Sequence, residues 1–147
     1  MKEQLLLQNQ LCFPLYAASK AVTRLYLPHL APYGLTYTQY IVFLALFEHD
    51  GITVKELGHL LHLDSGTLSP LLEKLEKQGY IRKEDGSDKR EKRIYLTSKG
   101  SEMEEPLSHI PEKIGGCLHL SKEEAEALYH LTYRVLENIE EDSSHGK

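Results

Sequence analysis

Apolar residues fall at Leu5, Leu7, Leu11, Leu15, Ala18, Val22 and Leu25, close to the interval of one helical face, and predict a long helix from Gln4 to about Leu27. Pro14 interrupts the run and predicts a kink or a late start, because proline has no amide hydrogen to give the helix. Pro28 and Pro32 mark a break. Thr36 and Gln39 then have the spacing of a capping box, and Tyr40 to Phe47 is apolar nearly all round, which predicts a buried helix ending near Asp50-Gly51. A second box, Thr53 with Glu56, opens a short helix that turns Leu57, Leu60 and Leu61 inward. Asp64 is placed to cap a third, whose Leu68, Leu71, Leu72 and Leu75 follow i, i+3, i+4, i+7. Pro70 lies early enough in this helix to be tolerated.

Two short helices separated by His62-Leu63 match a helix-turn-helix, the second with small hydroxyl residues near its start. After Gln78-Gly79 the pattern changes to two strand-like segments, Tyr80 to Glu84 and Lys92 to Thr97, joined by a polar turn from Asp85 to Glu91. Helix, helix, hairpin is the order of a winged helix. Beyond Gly100 two more helices are expected. One lies within about Ser101 to Ile114, and the other starts at the capping box Ser121 with Glu124 and carries Ala125, Leu128, Leu131, Val135, Leu136 and Ile139 as its stripe. Gly115-Gly116-Cys117 reads as a break between them, and the tail from Glu140 to Lys147 reads as frayed. The expected fold is mainly α with a small β-hairpin wing. A single domain, 1–147, would comprise a winged helix-turn-helix core over 30–100 and dimerisation helices over 1–29 and 101–147, since so small a core cannot cover both terminal helices.

Charge sharpens this picture. The chain carries −5 overall, but residues 1–73 hold four basic and six acidic side chains, 74–99 hold nine and five, and 100–147 hold four and eleven. The positive excess sits in the helix end and hairpin, where phosphate neutralisation needs it, and the acidic remainder needs no contact with DNA. No apolar run is long enough to span a bilayer and the start lacks the order of a secretory signal, so a cytoplasmic protein with no membrane partner is expected. Two cysteines 105 residues apart suit neither a disulfide framework nor a tetrathiolate zinc site. They are either small apolar packing residues or redox-active thiols.

The segment Leu63-Asp64-Ser65-Gly66-Thr67-Leu68-Ser69-Pro70-Leu71-Leu72-Glu73-Lys74-Leu75-Glu76 resembles the recognition helix of the MarR family of bacterial regulators. Asp88-Lys89-Arg90, followed by Leu96-Thr97-Ser98-Lys99-Gly100, resembles its wing and exit strand. Asn9-Gln10-Leu11-Cys12-Phe13, with Tyr16 beyond, is similar to the branch that senses organic hydroperoxides, usually called OhrR, and its thiol-sensing relatives. The resemblance implies a homodimeric repressor on an inverted-repeat site in double-stranded DNA, released when an organic hydroperoxide oxidises Cys12. It implies two tyrosines that hydrogen-bond the thiolate from the other subunit, by position Tyr26 and Tyr37, and a second cysteine, Cys117, that resolves the sulfenic acid across the dimer. Pro14 departs from the more usual apolar residue. The resemblance also places the helix from Asp64 to Lys77 in the major groove and the wing at the neighbouring minor groove. Ser65, Thr67 and Ser69 would then lie near bases or phosphates, Lys74 and Lys77 near the backbone, and Asp88, Lys89, Arg90 and Arg93 on the wing.

Only a thiolate attacks a peroxide well, and phenolic hydroxyls and the free amides of a helix start both favour that form. Two other classes stay open on the residues alone. Among eight histidines, His59, His62, His109, His119 and His130 could supply imidazoles to a zinc- or small-ligand-responsive regulator, but they form no compact motif, so no metal site and no cofactor is assigned. A thiol peroxidase would also use a reactive cysteine, yet would have no use for a basic wing. No hydrolytic triad, phosphate-binding glycine loop or carboxylate pair marks an enzyme.

Overall fold

All three capping boxes form, and they fix where the main helices begin. Thr36 and Gln39 cap α3 (Tyr37–Glu48), Thr53 and Glu56 cap α4 (Val54–Leu61), and Ser121 and Glu124 cap α9 (Lys122–His145), each side chain satisfying the other residue's backbone amide. The computed structural model describes residues 1–146. The described chain divides into two compact units, one from Met1 to Pro111 and one beginning at Glu112.

The first unit opens later than the apolar spacing predicts. Glu3–Leu5 and Leu7–Asn9 are short 3-10 turns, and the helix proper, α1, is Cys12–Leu25. Pro14 is its third residue, where the missing amide hydrogen costs nothing because first-turn amides have no intrahelical partner. Next come α2 (Leu27–Leu30) and a 3-10 turn at Ala31–Tyr33, with Pro28 and Pro32 each in a first turn. α3 is apolar along Tyr40 to Phe47 and becomes the spine of the core: Tyr40, Val42, Phe43 and Leu46 are buried, as are Leu57 on α4 and Leu68, Leu72 and Leu75 on α5 (Ser65–Lys77). Asp64 caps α5 as expected, its Oδ1 accepting from the Thr67 amide at 2.7 Å.

The hairpin is β2 (Ile81–Asp85) and β3 (Lys92–Leu96), antiparallel, with Ile81 opposite Leu96 and Asp85 opposite Lys92. A third strand, β1 (Ile52–Thr53), pairs with β3 on its other edge and was not predicted. It ties the wing to the helix-turn-helix, since Thr53 is both strand residue and cap of α4. Gly51, at φ +83°, allows that junction; a Cβ there would stand 2.8 Å from the Tyr95 ring. Beyond the sheet come α6 (Ser98–Ser101), α7 (Glu104–Ser108) and α8 (Ile110–Leu118), where one helix was expected. Gly100 is forced by sterics: a Cβ would collide with the Tyr80 carbonyl.

In the second unit the expected break at Gly115-Gly116-Cys117 is absent. α8 runs through both glycines and Cys117, and the chain turns instead around His119, at φ +51°. α9 continues to His145, past the point where fraying was expected. No residue of α1 or α9 is buried, and Leu15, Leu128, Leu131, Val135 and Ile139 are exposed on them. Among the described residues no single helix is long and apolar enough to cross a membrane.

Candidate nucleic-acid interface and thiol site

The residues expected to meet DNA form one continuous structure, α5 with the hairpin. With Leu68, Leu72 and Leu75 inward, the 100° step of a helix puts Gly66, Pro70 and Lys77 opposite the core. Thr67 and Lys74 lie on one flank of that ridge, and Ser65 and Ser69 on the other. All four, and Lys77, are exposed. Gly66 and Pro70 had not been singled out, yet they make the crest small enough for backbone to approach a groove. Their signal was the burial pattern of the leucines.

The wing separates its charges. Arg82 pairs with Glu84 and lies over the Tyr95 ring at 4.5 Å, and Lys92 pairs with Asp85. Arg93 is committed inward: it donates to the Gly51 carbonyl at 2.8 Å and to Glu91 at 3.3 Å. Asp88 shapes the tip, its Oδ1 accepting from the Arg90 amide at 3.1 Å and its carbonyl from the Glu91 amide at 2.9 Å. Lys89 and Arg90 are exposed with no side-chain partner among the described residues, which puts two unpaired positive charges at the turn of the wing.

Cys12 is the first residue of α1 and is exposed. The polar residues before it bond locally, Asn9 donating to the Glu3 carbonyl at 2.9 Å and Gln10 to the Gln4 and Leu6 carbonyls at 2.7 and 3.2 Å. These bonds tie the two 3-10 turns ahead of the helix to each other. Tyr26 ends α1 and Tyr37 begins α3, and their rings meet edge to face with centroids 4.8 Å apart. Tyr40, which sequence reasoning had assigned only to the core, completes a trio at 5.3 Å from Tyr26 and 6.1 Å from Tyr37. Burial, and then the neighbouring Tyr37, raises the Tyr26 phenol above its usual range, and burial with both neighbours pushes Tyr40 up to about 12. Both are therefore neutral donors at physiological pH. Cys12 and Tyr26 are 14 residues apart on one helix, about 21 Å along its axis at 1.5 Å per residue, so the trio cannot serve the cysteine of its own chain. Cys117 is exposed on α8, and its glycine neighbours face open space. Among the described residues no three His, Cys, Asp or Glu side chains converge to hold a metal ion.

Residues 33–91 match the model of the MarR family. The organic hydroperoxide resistance transcriptional regulator of Bacillus subtilis strain 168 is 43% identical over 134 residues, covering 90% of this chain and 91% of that one. The chain belongs to the MarR family. Its winged helix is accordingly that of a DNA-binding transcription regulator, and this family and these relatives are regulators, not enzymes. Among solved MarR-like structures, reduced AbfR bound to DNA superposes with a TM-score of 0.76 at 35% identity, covering 93% of this chain and 96% of that one. Overoxidised AbfR bound to DNA gives 0.76 at 34%, covering 93% and 97%; AbfR comes from Staphylococcus epidermidis.

Proposed function

We propose that this MarR-family chain is a cytoplasmic, homodimeric repressor that releases an inverted-repeat operator when an organic hydroperoxide oxidises Cys12. The observation that carries this reading is the similarity, over nine-tenths of the chain, to a regulator named for organic hydroperoxide resistance, with Cys12 exposed at the start of α1. The thiolate attacks one peroxide oxygen, the O–O bond breaks, the alcohol leaves after taking a proton, and sulfur is oxidised by two electrons to a sulfenic acid. A second subunit covers the bare faces of α1 and α9 and presents its tyrosine trio to Cys12, a reading supported by the 21 Å separation within one chain. Tyr26 and Tyr37 then donate to the thiolate. The larger sulfenic acid changes those hydrogen bonds and forces the trio to rearrange.

On DNA, α5 enters the major groove with Ser65, Thr67 and Ser69 toward it and Lys74 and Lys77 toward the backbone, while Lys89 and Arg90 reach the neighbouring minor groove. Asp88 acts by shaping the wing turn, and Arg93 by fastening β3 to Gly51. Cys117 resolves the sulfenic acid as an intersubunit disulfide, with loss of water. Non-reducing electrophoresis after hydroperoxide treatment then shows a reducible dimer, and persistent monomer that has lost DNA binding rejects that step. The reading as a whole is tested with an operator selected from random double-stranded DNA by the reduced protein. Cumene hydroperoxide releases the wild type and leaves Cys12→Ser bound; release of Cys12→Ser like wild type refutes it.

A further inference from the structure

Tyr26 and Tyr37, whose rings touch, bracket the segment 27–36 and close it into a loop. The end of α5 hangs on that segment. Gln78, the C-cap of α5, donates from Nε2 to the Gly34 carbonyl at 3.1 Å, and Tyr80 donates from its hydroxyl to the Tyr33 carbonyl at 3.3 Å. These bonds join residues 44 and 47 apart in sequence, so they are tertiary ties and not part of the helix end itself.

The same two residues also hold the exit of the wing. Lys99 on α6 donates to the Gln78 carbonyl and stands over the Tyr80 ring at 4.5 Å. The Tyr80 carbonyl accepts from the Thr97 amide at 3.0 Å and from the Thr97 hydroxyl at 3.1 Å. The Tyr80 ring meets Phe43 edge to face at 5.3 Å, three residues along α3 from Tyr40 of the trio. Gln78 and Tyr80 are thus a joint between the tyrosine-bracketed segment, the helix expected in the major groove and the strand leaving the wing. Gln78 Oε1 is buried without a hydrogen-bond partner among the described residues, a cost accepted while Nε2 stays on the Gly34 carbonyl. Packed elements joined in this way shift between discrete arrangements and do not deform smoothly.

We propose that Gln78 and Tyr80 are positioning residues for operator release: through the Gly34 and Tyr33 carbonyls they make the end of α5 and the wing exit follow the segment that Tyr26 and Tyr37 bracket. This rests on the thiol-sensing reading above. It assigns the passage from tyrosines to DNA to two hydrogen bonds that touch neither the thiol nor the operator.

The test compares operator Kd, by fluorescence anisotropy, for the reduced full chain and for chain oxidised with cumene hydroperoxide, with the state of Cys12 read by mass spectrometry. Wild type is set beside Gln78→Met, Tyr80→Phe and the double variant. Each single variant lowers the ratio of oxidised to reduced Kd about two- to tenfold, the range for one hydrogen bond, and the double variant lowers it further. The rate of Cys12 oxidation stays at the wild-type value. Bonds that only fasten the fold weaken both states together, so an unchanged or larger ratio in the double variant overturns the proposal. Thermal melts report folding, and Gln78→Glu, which keeps the shape and loses the donor to Gly34, replaces Gln78→Met if that variant does not fold. A wild-type ratio of one refutes the sensor reading and the link with it. A wild-type ratio well above one that survives in the double variant rejects the link alone.

Discussion

Arg90 and Arg93 lie three residues apart on the wing, carry the same charge, and are predicted to differ in kind. Arg90 has no side-chain partner among the described residues and stands on a turn that Asp88 shapes, whereas Arg93 is spent on the Gly51 carbonyl and Glu91. If Arg90 neutralises one phosphate per subunit, Arg90→Ala removes two such contacts per dimer and flattens the slope of log affinity against log salt by about 1.8. Between about 50 and about 200 mM salt, the wild type's advantage over the variant then shrinks about tenfold. Arg93→Ala should leave the slope unchanged and lower stability by about 1 kcal/mol, the net value of its partly exposed hydrogen bonds. Fluorescence anisotropy on one operator at four salt concentrations, with thermal melts of each free protein, measures both effects. Equal slopes for Arg90→Ala and wild type, or a slope change in Arg93→Ala matching that of Arg90→Ala, would refute this division of the wing's charges.

Two further outcomes follow from packing and titration. Gly100→Ala drives a methyl group into the Tyr80 carbonyl at the exit of the sheet, and should destabilise the fold by about 2 kcal/mol or more, read as a fall in urea midpoint. Tyr40, raised to about 12, keeps its proton when folded at pH values where the unfolded chain has lost it. Its contribution is therefore full below the ordinary tyrosine value of about 10 and declines as pH rises through that window, by up to about 1.4 kcal/mol per pH unit. Tyr40→Phe should make the alkaline loss of stability shallower; an unchanged slope between about pH 10 and 12 would contradict the assignment.

Much of this architecture was legible because side-chain chemistry marks helix starts. The boxes at Thr36, Thr53 and Ser121, and the cap at Asp64, each satisfy specific amides, and their spacing survives any tertiary context. What was missed lacked such a marker. β1 is two residues long, too short for alternation to register, and its identity is set by β3 passing beside it. The leucines from Leu5 to Leu11 have nearly helical spacing, but α1 waits until Cys12, as Pro14 can only be accommodated in a first turn. Gly115 and Gly116 each disfavour a helix by about 1 kcal/mol relative to alanine, which made a break the natural expectation. The buried Ile110 and Ile114 anchor the start of α8, and its helix carries on through them. Tyr40 was hidden in a wholly apolar run, where nothing separates a core aromatic from a member of a phenol cluster until the ring distances are known.

The central claim is that operator release follows the chemical state of one sulfur. Its most direct test titrates the reduced, operator-bound protein with cumene hydroperoxide, reading anisotropy and the oxidation state of the Cys12 peptide by mass spectrometry in the same samples. The account predicts that the released fraction rises in step with the oxidised fraction of Cys12 and returns when a thiol reductant restores it. Release while Cys12 remains reduced, or complete oxidation of Cys12 with the operator still bound, would contradict it.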